Sequence, residues 1–170
     1  MKRVLETSRL YLRELVPEDA EMILRLDRDP DVMHYMPAAA RARVSRVHSQ
    51  EFVRKAIRYY EEHPGLGIWT TILKGKNECI GWTTLKDLPG TEEIEIGFRY
   101  FPKYWNQGLA TEISAALLKY GFEQLNLPRI VAVVHPENAA SIRVIEKIGL
   151  TYVRDDHHYG INVRFYALDG

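Results

Sequence analysis

The sequence has little cysteine, no net charge and no long apolar run, and each absence excludes a class of protein. Its 170 residues include one cysteine, Cys79, so an intramolecular disulfide is impossible. Lysine plus arginine and aspartate plus glutamate both number 23, which argues against binding nucleic acid through overall charge. No apolar segment approaches the ~20 residues that span a bilayer, and no signal-peptide pattern opens the chain. We therefore expect a cytoplasmic protein with no nucleic-acid or membrane partner.

The pattern that remains predicts a single domain, residues 1–170, with a mixed sheet. Its hydrophobic content of 46% supports a core, and no repeat or low-complexity linker divides it. Short segments rich in β-branched and aromatic residues predict seven strands, at 9–15, 68–73, 79–85, 93–100, 130–134, 151–154 and 163–168. Apolar spacing predicts helices from Pro17, through Val53 to Tyr60, at 108–125 and at 139–148. The order β-α-α-β-β-β-α-β-α-β-β indicates helices on both sheet faces.

The segment Tyr104-Trp105-Asn106-Gln107-Gly108-Leu109-Ala110-Thr111 is the most informative part of the chain. It lies between a predicted strand and an amphipathic helix, where the first backbone N–H groups have no helical partner. Such a helix start attracts anions, and Gly108 lets a phosphate approach the backbone. No Gly-Lys-Ser/Thr follows, and the Gly-x-Gly-x-x-Gly spacing is absent, so neither a P-loop nor a dinucleotide site is indicated. Metal-ligand spacing and a Gly-x-Ser-x-Gly elbow are also absent.

Four motifs in register resemble the GNAT acetyltransferase superfamily, in its branch typified by the RimJ and RimL ribosomal-protein N-terminal acetyltransferases. The loop Trp105-x-x-Gly108-x-Ala110 is similar to the superfamily pattern Arg/Gln-x-x-Gly-x-Gly/Ala. Thr7-Ser8-Arg9-Leu10-x-Leu12-Arg13 resembles the branch's opening strand, and Glu95-Ile96-Gly97-Phe98 its fourth. His135-Pro136-Glu137-Asn138-x-x-Ser141, followed by Glu146-Lys147-x-Gly149-Leu150, resembles its second signature.

The resemblance implies both a fold and a donor site. The fold is a three-layer α/β arrangement whose mixed, mostly antiparallel sheet has about seven strands, with the fourth and fifth splayed apart. Acetyl-CoA would be the co-substrate, with no metal. Its pantetheine arm would lie in the gap along Phe98, Arg99 and Tyr100, and its pyrophosphate would bind the amides of Gln107, Gly108, Leu109, Ala110 and Thr111. A glycine within a strand, Gly97, also predicts a bulge or a close backbone approach there.

Ser141 is the residue that the resemblance favours as the proton donor to the departing thiolate. Many GNAT enzymes use a tyrosine seven residues after the equivalent of Asn138, but here that position is Ile145. Asn138 itself is expected to contact the pantetheine. Both residues have a second interpretation, because serine and asparagine are also good helix N-caps. An amide in a bulge near Phe98 would polarise the thioester carbonyl.

A general base is harder to assign from the sequence. Glu95, in the matching motif, could deprotonate an amine directly or through water, and its alternative is an exposed strand acid. His157 and His158 are expected on the surface between the terminal strands. An α-amino group, with a pKa of roughly 7.7–8.0, is already partly neutral near pH 7.5 and needs no base.

The acceptor therefore stays open between two classes of amine. We expect acetyl transfer to a protein N-terminal α-amine, with a polyamine, amino acid or antibiotic amine as the alternative. A non-catalytic CoA-binding regulatory module is a further interpretation. The acceptor groove is expected beside the first two helices, the segment between Met33 and Pro37, and the terminal hairpin. Dimers are common in the family, and a homodimer is possible, but no apolar stripe identifies an interface.

Overall fold

The strands of the computed structural model, which describes residues 2–170, form one mixed sheet. They are Arg3–Glu6 (β1), Leu10–Glu14 (β2), Gly67–Leu73 (β3), Glu78–Asp87 (β4), Ile94–Tyr100 (β5), Arg129–Val134 (β6), Thr151–His158 (β7) and Ile161–Asp169 (β8). Their order is β1-β2-β3-β4-β5-β6-β8-β7, and each neighbouring pair is antiparallel except β5 and β6. The predicted mixed, mostly antiparallel sheet is confirmed. The sequence prediction of about seven strands missed β1, which has four residues and no clear alternation.

Five α-helices flank the sheet within the described residues. They are Ala20–Arg28 (α1), Ala38–Ala42 (α2), Arg46–Glu62 (α3), Leu109–Glu123 (α4) and Ala139–Lys147 (α5). The predicted helices correspond to α1, α3, α4 and α5, whereas the short α2 was not predicted. Pro17 begins a 3₁₀ turn ahead of α1 rather than the α-helix itself.

The helices cover both faces of the sheet, as the sequence pattern indicates. The Trp82 ring of β4 lies 6.3 Å from the Phe52 ring of α3. Leu85, three residues further along β4, lies against Gly121 of α4. Residues three apart in a strand face opposite sides, so α3 and α4 cover opposite faces. The core is largely apolar on both, with side chains such as Leu85 and Ile113 fully buried.

The gap predicted between the fourth and fifth strands is present between β5 and β6. The β4–β5 ladder is continuous from Gly81 opposite Tyr100 to Asp87 opposite Ile94. In contrast, β5 and β6 share one paired position, Glu95 opposite Val131. Beyond Glu95 the two strands diverge, so the second half of β5 has no strand partner on that side.

The terminal hairpin is longer than the sequence predicted. β7 and β8 pair from Thr151–Ala167 to His158–Ile161, joined by a two-residue turn at Tyr159 and Gly160. Both turn residues have positive φ angles, 54° and 79°, as a type I′ hairpin requires. His157 and His158 therefore lie within β7, not between the strands. The expected surface position is wrong for His158, whose side chain is 12% exposed and lies beside the Phe165 ring.

Candidate active site

A cavity of about 770 Å³ opens where β5 and β6 separate, between the first turns of α4 and α5. Ten of the eleven site residues predicted from the sequence line it, namely Phe98, Arg99, Tyr100, Gln107, Gly108, Leu109, Ala110, Thr111, Asn138 and Ser141. Glu95 is not among the lining residues. The far end is lined by the segment after α1, which includes His34, Tyr35 and Met36. The fold thus brings together, around one cavity, the predicted phosphate loop (residues 104–108), the second signature and the segment expected beside the acceptor.

The phosphate loop ends in a helix start without a side-chain cap. Gly108 is the N-cap residue of α4, with a left-handed φ of 72°. Asn106, two residues earlier, is also left-handed at φ 58°. The first intrahelical bond of the turn runs from the Glu112 N–H to the Gly108 carbonyl at 3.0 Å. The N–H groups of Gly108, Leu109, Ala110 and Thr111 precede that bond, have no hydrogen-bond partner among residues 2–170 and could receive an anion.

The predicted bulge in β5 is absent, and Gly97 has a different role. The β4–β5 register runs through Gly97 opposite Thr84 without a shift. A Cβ atom at Gly97 would lie 3.2 Å from the Thr84 methyl group, so the close approach is by a neighbouring side chain. The expectation of a bulge amide near Phe98 is therefore wrong, because glycine here makes room for a cross-strand contact.

The amide of Phe98 nevertheless faces the gap. Phe101 donates its backbone N–H to the Ile80 carbonyl at 3.0 Å, which fixes the alternation of donors along β5. By that alternation, the Arg99 N–H faces β4 and the Phe98 N–H faces the opposite side, where β6 has diverged. The carbonyl of Tyr100, in contrast, already accepts a bond from the Trp105 indole N–H at 2.8 Å. The backbone of β5 therefore offers a donor at Phe98 on the side of the gap.

Asn138, rather than Ser141, caps α5. Asn138 is the N-cap residue, and its side-chain oxygen accepts a bond from the Ser141 backbone N–H at 3.1 Å. Among residues 2–170, the Ser141 hydroxyl has no hydrogen-bond partner. The capping interpretation thus holds for Asn138 and not for Ser141, whose half-buried side chain borders the cavity.

Arg99, which lines the cavity, has its side chain packed against the segment after α1. Its guanidinium forms a mostly buried ion pair with Asp27 of α1 at 2.9 Å and lies over the Trp82 ring. The sulfur atoms of Met33 and Met36 lie 3.7 and 3.2 Å from its terminal nitrogens. Burial lowers the pKa of Arg99 and raises that of Asp27. Sequence reasoning missed Asp27, because α1 is far from β5 along the chain.

Glu95 lies in a separate polar cluster beneath the terminal hairpin. Its side chain is mostly buried, and its Oε1 accepts bonds from Lys86 Nζ at 2.7 Å and from the Tyr159 hydroxyl. Burial and the nearby Glu95 carboxylate raise the pKa of Tyr159. The structure does not bring Glu95 together with Ser141 at the cavity. The exposed position considered as the alternative for Glu95 is wrong, because its side chain is buried.

No group of three or more His, Cys, Asp and Glu side chains among residues 2–170 is arranged to hold a metal ion. No helix in that part of the chain has the length and apolarity to cross a bilayer.

Comparison with known proteins agrees with this geometry. The family described as "Acetyltransferase (GNAT) domain" matches residues 9–151. A curated relative from Aspergillus fumigatus, FsC-acetyl coenzyme A-N(2)-transacetylase, is 34% identical over 88% of this chain, which spans 65% of that protein. A GNAT-family acetyltransferase structure from Bacillus anthracis is 31% identical, with a TM-score of 0.80 over 99% of this chain and 98% of that one.

A third likeness concerns the fold alone. The structure of RimL, a ribosomal L7/L12 alpha-N-protein acetyltransferase in complex with coenzyme A, has a TM-score of 0.81 at 16% identity, covering 99% of this chain and 98% of that one. The activity is identified by the family match and by the two relatives that are more than 30% identical, without the RimL structure. This chain belongs to the acetyltransferase (GNAT) family and is an acetyl-CoA-dependent N-acetyltransferase.

Proposed function

We propose that this chain transfers the acetyl group of acetyl-CoA directly to an α-amino group, with a protein N-terminus of the ribosomal type as the leading acceptor. The observation that supports the proposal best is the single cavity of about 770 Å³ that joins the α4 amides, Ser141 and the segment after α1. Donor and acceptor would occupy it together in a ternary complex, so no covalent acyl-enzyme is required.

The donor end fits a diphosphate and an extended polar arm. The free N–H groups at the start of α4 and the helix dipole favour an anion, and Gly108 leaves room for it. The unpaired second half of β5 offers backbone groups to the amides of a pantetheine arm, as an edge strand offers them to a peptide. Asn138, at the head of α5, has amide N–H donors left for the same arm.

The chain's groups would assist aminolysis at two atoms. The Phe98 N–H would donate to the thioester oxygen as the amine nitrogen attacks the carbonyl carbon. As the carbon–sulfur bond breaks, the Ser141 hydroxyl would give its proton to the departing sulfur and recover one from the acetylated nitrogen through water. A thiol with a pKa of about 8.5 is a good leaving group, so this modest assistance suffices.

An acceptor amine of low pKa would not need Glu95 as a base. Glu95, the candidate base named from the sequence, is outside the cavity lining and bonded to Lys86 and Tyr159. An α-amino group with a pKa of about 7.7–8.0 supplies a neutral nucleophile without a base, unlike a lysine side chain with a pKa of about 10.4. We therefore assign no base role to Glu95. RimL, which shares the fold, is named for transfer to a protein α-amine.

A small-molecule acceptor is the second candidate. The Aspergillus fumigatus relative is named an FsC-acetyl coenzyme A-N(2)-transacetylase, and at 34% identity it is closer in sequence than RimL at 16%. A non-catalytic CoA-binding module is less favoured, because the uncommitted Ser141 hydroxyl borders the cavity.

Calorimetric titration with CoA, acetyl-CoA and adenosine tests the donor site. We expect CoA and acetyl-CoA to bind much more tightly than adenosine, because the diphosphate and the pantetheine arm supply most of the contacts. Equal affinity for all three would contradict the proposal, since neither the α4 amides nor the β5 edge would then be in use.

A further inference from the structure

Arg9 and Glu112 meet directly behind the phosphate loop. Arg9 precedes β2, Glu112 lies in the first turn of α4, and 103 positions separate them. The Arg9 Nε donates to Glu112 Oε2 at 2.6 Å, and its Nη1 donates to the backbone carbonyl of Gln107 at 2.9 Å. One guanidinium therefore ties the loop to the helix that follows it. Arg9 does not line the cavity, so it acts on a ligand there through the loop.

Glu112 is held in place by hydrogen bonds from the segment that contains Arg9. Its Oε1 accepts bonds from the hydroxyls of Thr7 and Ser8, at 2.6 and 3.1 Å, and from the Arg9 backbone N–H at 3.0 Å. Burial alone would raise its pKa, but these bonds and the Arg9 side chain lower it to about 2. Glu112 is thus ionised at neutral pH, and its bonds set the direction of the Arg9 side chain.

The Gln107 carbonyl bond has a geometric consequence. In a trans peptide unit, the carbonyl and the next N–H point in opposite directions. Fixing the Gln107 carbonyl toward Arg9 therefore directs the Gly108 N–H away from Arg9, toward the cavity that Gly108 lines. We propose that Arg9 is a positioning residue for the donor phosphates: oriented by Glu112, it holds the Gln107–Gly108 peptide with its N–H facing the anion.

Arg9 also removes an electrostatic conflict at this helix start. The Glu112 carboxylate lies in the first turn of the helix whose amides receive the phosphates, and an unpaired negative charge there would repel them. The Arg9 guanidinium balances that charge without entering the cavity. This inference rests on the proposed donor site.

Binding of CoA and of pantetheine, which lacks the diphosphate, tests the positioning role. For Arg9→Gln we expect the Kd of CoA to rise roughly tenfold and the Kd of pantetheine to stay unchanged. Arg9→Lys keeps the charge but lacks the planar fork whose separate nitrogens bond Glu112 and Gln107, so we expect it to recover only a small part of the affinity. Arg3→Gln, which removes an exposed arginine of the same segment from its 3.5 Å pair with Glu6, is the matched control and should change neither constant.

Glu112→Gln provides a second route if Arg9→Gln unfolds. We expect it to weaken CoA selectively, because losing the bonds that direct the Arg9 side chain outweighs the attraction of the freed guanidinium for the phosphates. An unchanged CoA affinity, equal losses for CoA and pantetheine, or full recovery in Arg9→Lys would each overturn the positioning role. Failure of the wild-type protein to bind CoA would instead reject the proposed donor site, so the two outcomes are distinct.

Discussion

The side-chain oxygen of Asn138 accepts a hydrogen bond from the backbone N–H of Ser141 at 3.1 Å, so one residue caps the helix that presents the other. With the cap supplied by Asn138, the Ser141 hydroxyl is left without a partner among residues 2–170 and borders the cavity. The capping and chemical roles that the sequence left open for both residues are thereby divided between them.

Replacing Ser141 separates donor binding from turnover. We expect Ser141→Ala to lower kcat roughly 10²-fold, because the departing thiolate loses its proton donor. The Kd of acetyl-CoA should change little, since the hydroxyl makes no contact that orders the site. Ser141→Cys, which retains a transferable proton, should recover part of the rate. Full turnover by Ser141→Ala would remove this residue from the mechanism.

Changing Asn138 tests whether capping and donor binding are separable. Asn138→Asp keeps the accepting oxygen, so we expect the free energy of unfolding to stay within about 0.5 kcal/mol of wild type, whereas Asn138→Ala should lose about 1 kcal/mol. Both variants lose the amide N–H donors, and both should bind acetyl-CoA more weakly. Urea unfolding and calorimetry measure the two effects. Undiminished affinity in Asn138→Asp would restrict this residue to capping.

Gly108 and Gly90 form a matched pair for the phosphate loop. Both are left-handed, with φ angles of 72° and 80°, but Gly90 has open space around it and is not a cavity residue. Substitution by alanine should cost either site about 1–2 kcal/mol of stability through backbone strain. Only Gly108→Ala should also raise the KM for acetyl-CoA. A similar rise in Gly90→Ala would mean that the loss is a general consequence of destabilisation.

Glu95→Gln tests the absence of a base at that position. We expect the pH dependence of kcat to keep its shape, because Glu95 is bonded to Lys86 and Tyr159 outside the cavity. The variant should be less stable, since a mostly buried Lys86 loses its charge partner. Loss of one limb of the pH–rate profile would show that Glu95 is the base after all.

Acid unfolding should reveal the ionised Glu112. Its pKa in the folded protein, about 2, lies below the ordinary value of 4.5. The stability from the ionised form is therefore complete above about pH 4.5 and is lost as the pH falls through 2. Glu112→Gln should be less stable at pH 7 by roughly 1–3 kcal/mol and should lose less on acidification. Parallel acid-unfolding curves for the two proteins would contradict this.

The parts of the site that depend on residues close together in the chain could be predicted from the sequence. Gly108 before an amphipathic helix and Asn138 three residues ahead of Ser141 are local patterns, and both lie on the cavity. The motif resemblance also predicted the gap between β5 and β6. These two strands share one paired position and diverge beyond it.

The contacts that depend on distant residues could not be predicted. Arg9 reaches Glu112 across 103 positions, and Glu95 meets Tyr159 across 64, so no sequence window contains both partners. The prediction of a bulge at Gly97 was wrong for a related reason. In the sequence, a glycine that makes room for the Thr84 side chain cannot be distinguished from one that forms a bulge. The extent of β7 depended on the Tyr159–Gly160 turn, where a left-handed tyrosine is an uncommon choice.

The most direct measurement is CoA release from acetyl-CoA with two sets of acceptors under identical conditions. One set is peptides with free N-terminal Ala, Ser or Met, and the other is polyamines and amino acids, with mass spectrometry locating the acetyl group. We predict turnover with peptides, modified at the α-amine and dependent on Ser141. Turnover confined to polyamines and other small amines would contradict the protein N-terminal assignment and make the small-molecule candidate correct.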